Sequence, residues 1–215
     1  MIPVLIIGKS GAGKSASLRN MPTAGTVVVN VLGKPLPFRS DLKVIPCNAY
    51  SKIKAAILKG GYDRYVVDDF GYLMTDQFMQ ALGAKGTGQD MFALYAQIGL
   101  SMWDFIKALQ QHPSQARVYL IMHEEQDDFG NIKPRTLGKL VEQKVCLEGM
   151  VSICLRAMVS NRGDHIFLTN STGLDVTKTP MGMFDKQEID NDLAMVDDTI
   201  VEYYNIKEAS NNAET

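Results

Sequence analysis

The chain has 215 residues, room for one α/β domain with a sizeable core on the usual ~100–200 residues per domain. Its 46% hydrophobic and 21% charged residues exclude a largely disordered chain, a collagen-like repeat and a minimal disulfide scaffold. With 22 Lys and Arg against 24 Asp and Glu the net charge is −2, so no global basic field advertises nucleic acid. The charge is nonetheless uneven. From Asp185 to the end nine acids face two lysines, a net of −7, which leaves +5 on residues 1–184 and permits a polyanion partner there. Cys47, Cys146 and Cys154 form no CxxC pair and only three histidines accompany them, which argues against zinc and for reduced, mostly buried thiols in a cytosolic protein. No apolar run reaches the ~18 residues of a membrane span, and the apolar start has no basic lead, so it reads as a first strand and not a signal peptide.

Ile2 to Ile7, rich in β-branched residues and stopped by Gly8, predicts a strand buried on both faces. Residues 14–20 predict a short helix ended by Pro22. Thr26 to Val31 is a second strand, the proline-punctuated 33–37 a loop, and Leu42 to Pro46 a short edge strand. Ser51 to Leu58 carries Ile53, Ala56 and Ile57 at helical spacing, with Ser51 as the expected cap and Gly60-Gly61 as the stop. Arg64 to Asp69 is a third strand. A helical region over 73–111 follows, broken at 83–88, with Met91 to Leu109 repeating every three to four residues. Val118 to Met122 is a fourth strand, and the polar 124–145 reads as loop. Met150–Val159 and His165–Thr169, around Asn161-Arg162-Gly163-Asp164, predict a β-hairpin. One helix is expected from about Asn191, before a low-order end at Ser210. The alternation of strand and helix predicts a mainly parallel sheet with helices on both faces, in a domain over 1–184 followed by an acidic, partly helical tail over 185–215.

The most specific signal is Gly8-Lys9-Ser10-Gly11-Ala12-Gly13-Lys14-Ser15, which fits GxxxxGK[ST] at every fixed position, between a strand and a helix. In that pattern successive backbone N–H groups curl around phosphate oxygens and the following helix adds its positive end, with Ala16 in its first turn. Lys14, expected in an exposed loop, neutralises β/γ-phosphate charge, and the Ser15 hydroxyl ligates magnesium. Tyr65-Val66-Val67-Asp68-Asp69-Phe70 is an apolar strand ending in two carboxylates. Asp68 is the candidate for the magnesium shell opposite Ser15, and Asp69 for orienting the attacking water, although solvated strand caps share this pattern.

His123-Glu124-Glu125 ends the fourth strand. In a phosphate-loop sheet with an inserted strand, His123 there can sense the γ-phosphate and Glu124 or Glu125 can polarise water in place of Asp69; a solvated loop start is the plainer reading. Lys133, Arg135 and Lys139 form a basic segment. It could contact DNA phosphates, supply a cation to a neighbouring subunit's γ-phosphate, or serve only solubility, and Pro134 and Gly138 suggest that it orders on binding. Lys178, beside Pro180, is a weaker candidate to close over nucleotide.

In order, the phosphate loop, Asp-Asp strand, His-Glu-Glu tip, Thr136-Leu137-Gly138-Lys139, the hairpin and the Lys178–Phe184 segment resemble phage-encoded, RecA-like ATP-binding proteins, some of them single-strand annealing recombinases. The resemblance spans about 1–200. It implies a RecA-like P-loop core, ATP and Mg2+, and self-assembly at the nucleotide interface. It further implies action on single-stranded DNA, with a single-strand-binding protein as partner, in phage recombination or replication within a bacterial cytoplasm. The chain departs from that pattern after the second strand, where Val29-Asn30-Val31-Leu32-Gly33 supplies no catalytic acid. A non-hydrolysing nucleotide-binding adaptor and a small-molecule P-loop kinase are the rival readings.

Overall fold

The structure, a computed structural model, describes residues 1–85, 90–142 and 144–207, with all their side chains but those of residues 85, 139 and 140. Six strands run parallel: β1 (Ile2–Gly8), β2 (Thr26–Asn30), β3 (Lys43–Pro46), β4 (Arg64–Asp68), β5 (Arg117–Gln126) and β7 (Ile153–Val159). With β8 (His165–Leu168) and β9 (Glu188–Asp190) the order across the sheet is β3-β2-β4-β5-β1-β7-β8-β9, and β6 (Ile132–Pro134) pairs antiparallel with the end of β5. This is the α/β sheet of a P-loop NTPase. The inserted strand is β5, which separates the phosphate-loop strand β1 from the Asp-Asp strand β4.

Strand alternation sends Leu5 and Ile7 to one face and Val4 and Ile6 to the other. On the first face they meet α1 (Tyr50–Lys59), α2 (Tyr72–Lys85) and α3 (Met91–Gln111), through Ile53, Ile57, Leu73, Met74, Ile98, Met102 and Phe105. On the second, Leu18 and α5 (Leu193–Tyr203) close the core with Leu193, Val196 and Ile200. Each fully buried aliphatic side chain contributes about 1.5–3 kcal/mol, so both faces are covered by strong packing. At the far end from the loops, Asp197 of α5 accepts from Arg117 Nε at 2.8 Å and Nη2 at 2.9 Å, from Arg64 Nε at 2.5 Å, and from the Tyr119 hydroxyl. Burial alone would raise the Asp197 pKa, but the Arg117 and Arg64 charges and the Tyr119 bond hold it below the usual carboxylate range.

Several expectations change. The helix after the phosphate loop is a six-residue 3-10 helix, Ser15–Asn20, because the extended Met21 before Pro22 leaves too little chain to propagate an α-helix. Ala49, not Ser51, is the N-cap of α1. Gly83, Ala84 and Lys85 belong to α2, while Gly86–Gly88 and the end from Ser210 lie outside the described residues. The polar 124–145 stretch is not one loop: it completes β5, forms β6, and turns through the short helix α4 (Lys139–Glu142). Within the segment expected as an acidic tail, β9 extends the sheet and α5 joins the second core. Of the cysteines only Cys154 is buried; Cys146 is exposed.

Candidate functional site

Parallel α/β sheets bind ligands at the carboxyl ends of their strands, and here the register gathers Gly8, Asp68, His123 and Ala157 at that edge. A Cβ on Gly8 would stand 2.6 Å from the Ala157 carbonyl oxygen, so only glycine lets the phosphate-loop strand run this close to β7. The loop then turns through Gly13 at φ 93°, a left-handed backbone that points successive N–H groups into one concavity. Lys14 is not exposed as expected. It is 7% exposed, and its Nζ donates to the Gly8 and Lys9 carbonyls, both at 2.8 Å. Burial lowers its pKa, against the opposing pull of the Asp69 and Asp68 charges.

Ser15 Oγ lies 3.0 Å from Asp68 Oδ1, joining the loop to the Asp-Asp strand. Along a strand, residues 68 and 69 would face opposite sides. A positive φ of 61° at Asp69 turns the chain, so Asp69 lines the cleft while Asp68 meets it through Ser15. Asp69 Oδ2 pairs with Lys34 Nζ at 2.6 Å, and its Oδ1 is 4.0 Å from His123 Nε2. The Asp68 pKa is raised, first by burial and then by the Asp69 charge, with the Ser15 bond acting against both. His123 stacks edge-on against Tyr72, ring centroids 6.0 Å apart. Burial and the Lys14 charge lower its pKa, with the Asp69 charge acting against them.

Glu124 and Glu125 do not join this group as free carboxylates. Both Glu124 oxygens are held by Arg156, at 2.7 and 2.9 Å. Glu125 faces β6, in register with Lys133, whose Nζ is 3.9 Å away. The basic residues separate as well. Lys133 sits in β6 and is bound by Glu142, and Arg135 lines the phosphate-loop cleft. Lys139 heads α4, its side chain outside the described residues. Lys178 is tied by backbone bonds to Cys154 near the start of β7, away from the cleft.

The resulting cleft has a volume of about 750 Å³ and is lined by Lys9, Ser10, Gly11, Gly13, Lys14, Ser15 and Ala16, facing Lys34, Asp69, Tyr72, His123, Glu124, Arg135 and His165. A family model described as AAA domain, AAA_24, matches residues 2–181. The chain belongs to this AAA-domain family. It is therefore a P-loop ATPase-type protein, and nucleotide is the ligand that its family binds. No curated protein matches the chain.

In this AAA domain the donor set at the foot of the loop, Ser15 Oγ and Asp68 Oδ1, suits a hard divalent cation shared with nucleotide phosphates. These two residues would hold magnesium, which would supply neutralisation of phosphate charge. Among the cleft and its supports, Lys34, Tyr72, Arg156 and His165 escaped the sequence reading. Lys34 lies in the proline-punctuated loop 33–37, just past the acid-less 29–33 stretch, and nothing in that loop marked it. Arg156 in the middle of β7 was a visible charge in an apolar strand. His165 opens β8 and left no distinguishing signal.

Among the described residues no helix is long and apolar enough to cross a membrane.

Proposed function

We propose that the AAA domain is a magnesium-dependent ATPase that self-assembles on single-stranded DNA and couples nucleotide state to that binding, in phage recombination or replication in a bacterial cytoplasm. The observation that carries this reading is a second cavity of about 450 Å³ that shares Tyr72, His123 and Arg135 with the phosphate-loop cleft. Tyr95 also lines it. Two tyrosine rings and a guanidinium suit stacked bases and a phosphate backbone. Arg135 is joined to the sensing position directly, since its N–H donates to the His123 carbonyl at 2.8 Å. A change at the γ-phosphate thus reaches the second cavity through a single backbone bond.

Asp69 orients the attacking water once nucleotide draws Lys34 toward phosphate, and Lys34 supplies the cation in cis. With no acid after β2, hydrolysis is slow, and ATP acts largely as an assembly switch. The test is ATP turnover with and without single-stranded DNA, at low and moderate salt. Stimulation by DNA that fades with salt supports this reading; indifference to DNA contradicts it. The same cavity also favours a second reading, a kinase whose acceptor sits beside the γ-phosphate. Release of free phosphate without any acceptor argues against that alternative.

A further inference from the structure

The longest described helix, α3, has 21 residues, of which only Asp104 and Lys107 are charged. Over the whole chain 21% of residues are charged, so α3 holds less than half the usual share. Leu94, Ile98, Met102, Phe105 and Leu109 turn inward and are buried. On the opposite side Phe92, Ala96, Leu100 and Trp103 recur at steps of four, four and three, which makes one stripe along the helix. That stripe faces outward: Phe92 is 75% exposed, Leu100 54% and Trp103 45%. A helix that is apolar on both sides is ordinarily covered on both sides.

The neighbouring helix is built alike. α2 packs on α3 through the Phe78 and Tyr95 rings, centroids 5.6 Å apart, and through the bond from Gln77 Nε2 to Ser101 Oγ at 3.1 Å. Its only charges are Asp76 and Lys85, and its Met79 is 60% exposed. Asp104 already pairs with Lys54 of α1, which leaves the outer face less polar still. Aromatic and methionine side chains with few charges are the composition of a protein–protein interface core. The face is about 30 Å long and two helices wide at about 10 Å spacing, which offers roughly 600 Å². That meets the lower bound of the ~600–1,000 Å² that each partner gives to a stable interface.

We propose that this face is a two-fold interface with a second copy of this chain, α3 packing antiparallel on α3. The stripe is self-complementary. Reversed about its midpoint, it sets Phe92 of one copy against Trp103 of the other and Ala96 against Leu100, ring on ring and small on large. The same reversal brings Lys107 of one copy level with Asp90 of the other, so unlike charges meet at both ends. Antiparallel pairing also sets the helix dipoles in opposition, which is favourable. None of the stripe residues lines the phosphate-loop cleft or the cavity beside it. The pair therefore forms without nucleotide or DNA, and it is distinct from assembly at the nucleotide interface.

The test is sedimentation equilibrium of the wild-type chain without nucleotide, over about 1–100 μM. Trp103 is the only tryptophan of the chain, so its emission reports on this face directly. We expect a monomer–dimer equilibrium, with the Trp103 emission moving to the red as dilution separates the copies. Leu100→Glu should weaken association at least about tenfold and leave ATP binding unchanged. Phe92→Cys and Trp103→Cys chains, each also carrying Cys146→Ser, should crosslink to each other on oxidation faster than either does to itself. A wild type that stays monomeric overturns the proposal and leaves the face to a different protein. So does a dimer that forms only with nucleotide, or one whose Trp103 emission ignores dilution. A folded Leu100→Glu that pairs as tightly as wild type overturns it too, and faster self-crosslinking overturns the antiparallel register. The wild-type measurements decide the claim even if a variant fails to fold.

Discussion

Two buried acids, at opposite ends of the sheet, are held in contrasting ways. Asp197 sits among Arg117, Arg64 and Tyr119, and its pKa is pulled down. Asp68 has a serine hydroxyl, a backbone N–H and a second carboxylate for neighbours, and its pKa is pushed up. The first is a charge satisfied by the fold itself. The second is a charge that the fold tolerates at a cost and that a cation would relieve. Lys14, resting on two carbonyls with a lowered pKa, is the cationic counterpart of Asp68. Buried charge at one end therefore serves stability, and at the other it waits for a ligand.

The largest expected effect breaks the structural end. Asp197→Ala removes the buried carboxylate that accepts from Arg117, Arg64 and Tyr119, and should cost about 3–5 kcal/mol in urea unfolding. The pH dependence has opposite signs at the two ends. With a lowered folded pKa, Asp197 contributes stability above the ordinary carboxylate value that is lost as pH falls through the folded value. Asp68, with a raised folded pKa, contributes most at low pH and loses that contribution as pH rises through the folded value. Asp68→Asn should accordingly stabilise the ligand-free protein at neutral pH by about 1 kcal/mol, read from the unfolding midpoint, while weakening magnesium-dependent nucleotide binding. A simultaneous loss of stability and binding would place Asp68 in the same class as Asp197.

The basic residues sharpen the contrast further. Arg135 lines both cavities and Lys133 is bound by Glu142. Arg135→Ala should lower the log–log salt slope of single-stranded DNA binding by about 0.7, and Lys133→Ala should leave it unchanged. Equal effects would mean that both act as loose surface charge. The smallest stability effect belongs to Lys34, whose side chain is 58% exposed. Lys34→Ala should change folding stability by less than about 1 kcal/mol and still reduce ATP affinity. Unchanged affinity would make its ion pair with Asp69 a surface contact only.

What the sequence made legible was local. The phosphate loop is eight consecutive residues, the Asp-Asp pair ends an unbroken apolar strand, and β5 was legible as a strand, though its place between β1 and β4 was not. Long-range pairings were hidden. Nothing adjacent to Glu124 announces that Arg156 will take both its oxygens, because the two meet only through strands β5 and β7, which flank β1. Lys34 meets Asp69 from the loop that follows β2. Lys133 looked free beside Pro134, yet Glu142 is brought to it by the turn into α4. The β9–α5 junction read as acidic tail because its charge pattern dominated, while Leu193, Val196 and Ile200 were already spaced to bury one helix face.

The most direct test of the ligand-awaiting end is a titration of the wild-type and Lys14→Ala proteins with ATP and magnesium, with circular dichroism confirming that both are folded. Lys14 donates to loop carbonyls and belongs to no core contact that its loss would collapse. The expected result is saturable, magnesium-dependent binding to the wild type and at least about a hundredfold weaker binding to a folded Lys14→Ala. Equal affinity in the two proteins would contradict the assignment of Gly8–Ser15 as the phosphate-binding loop.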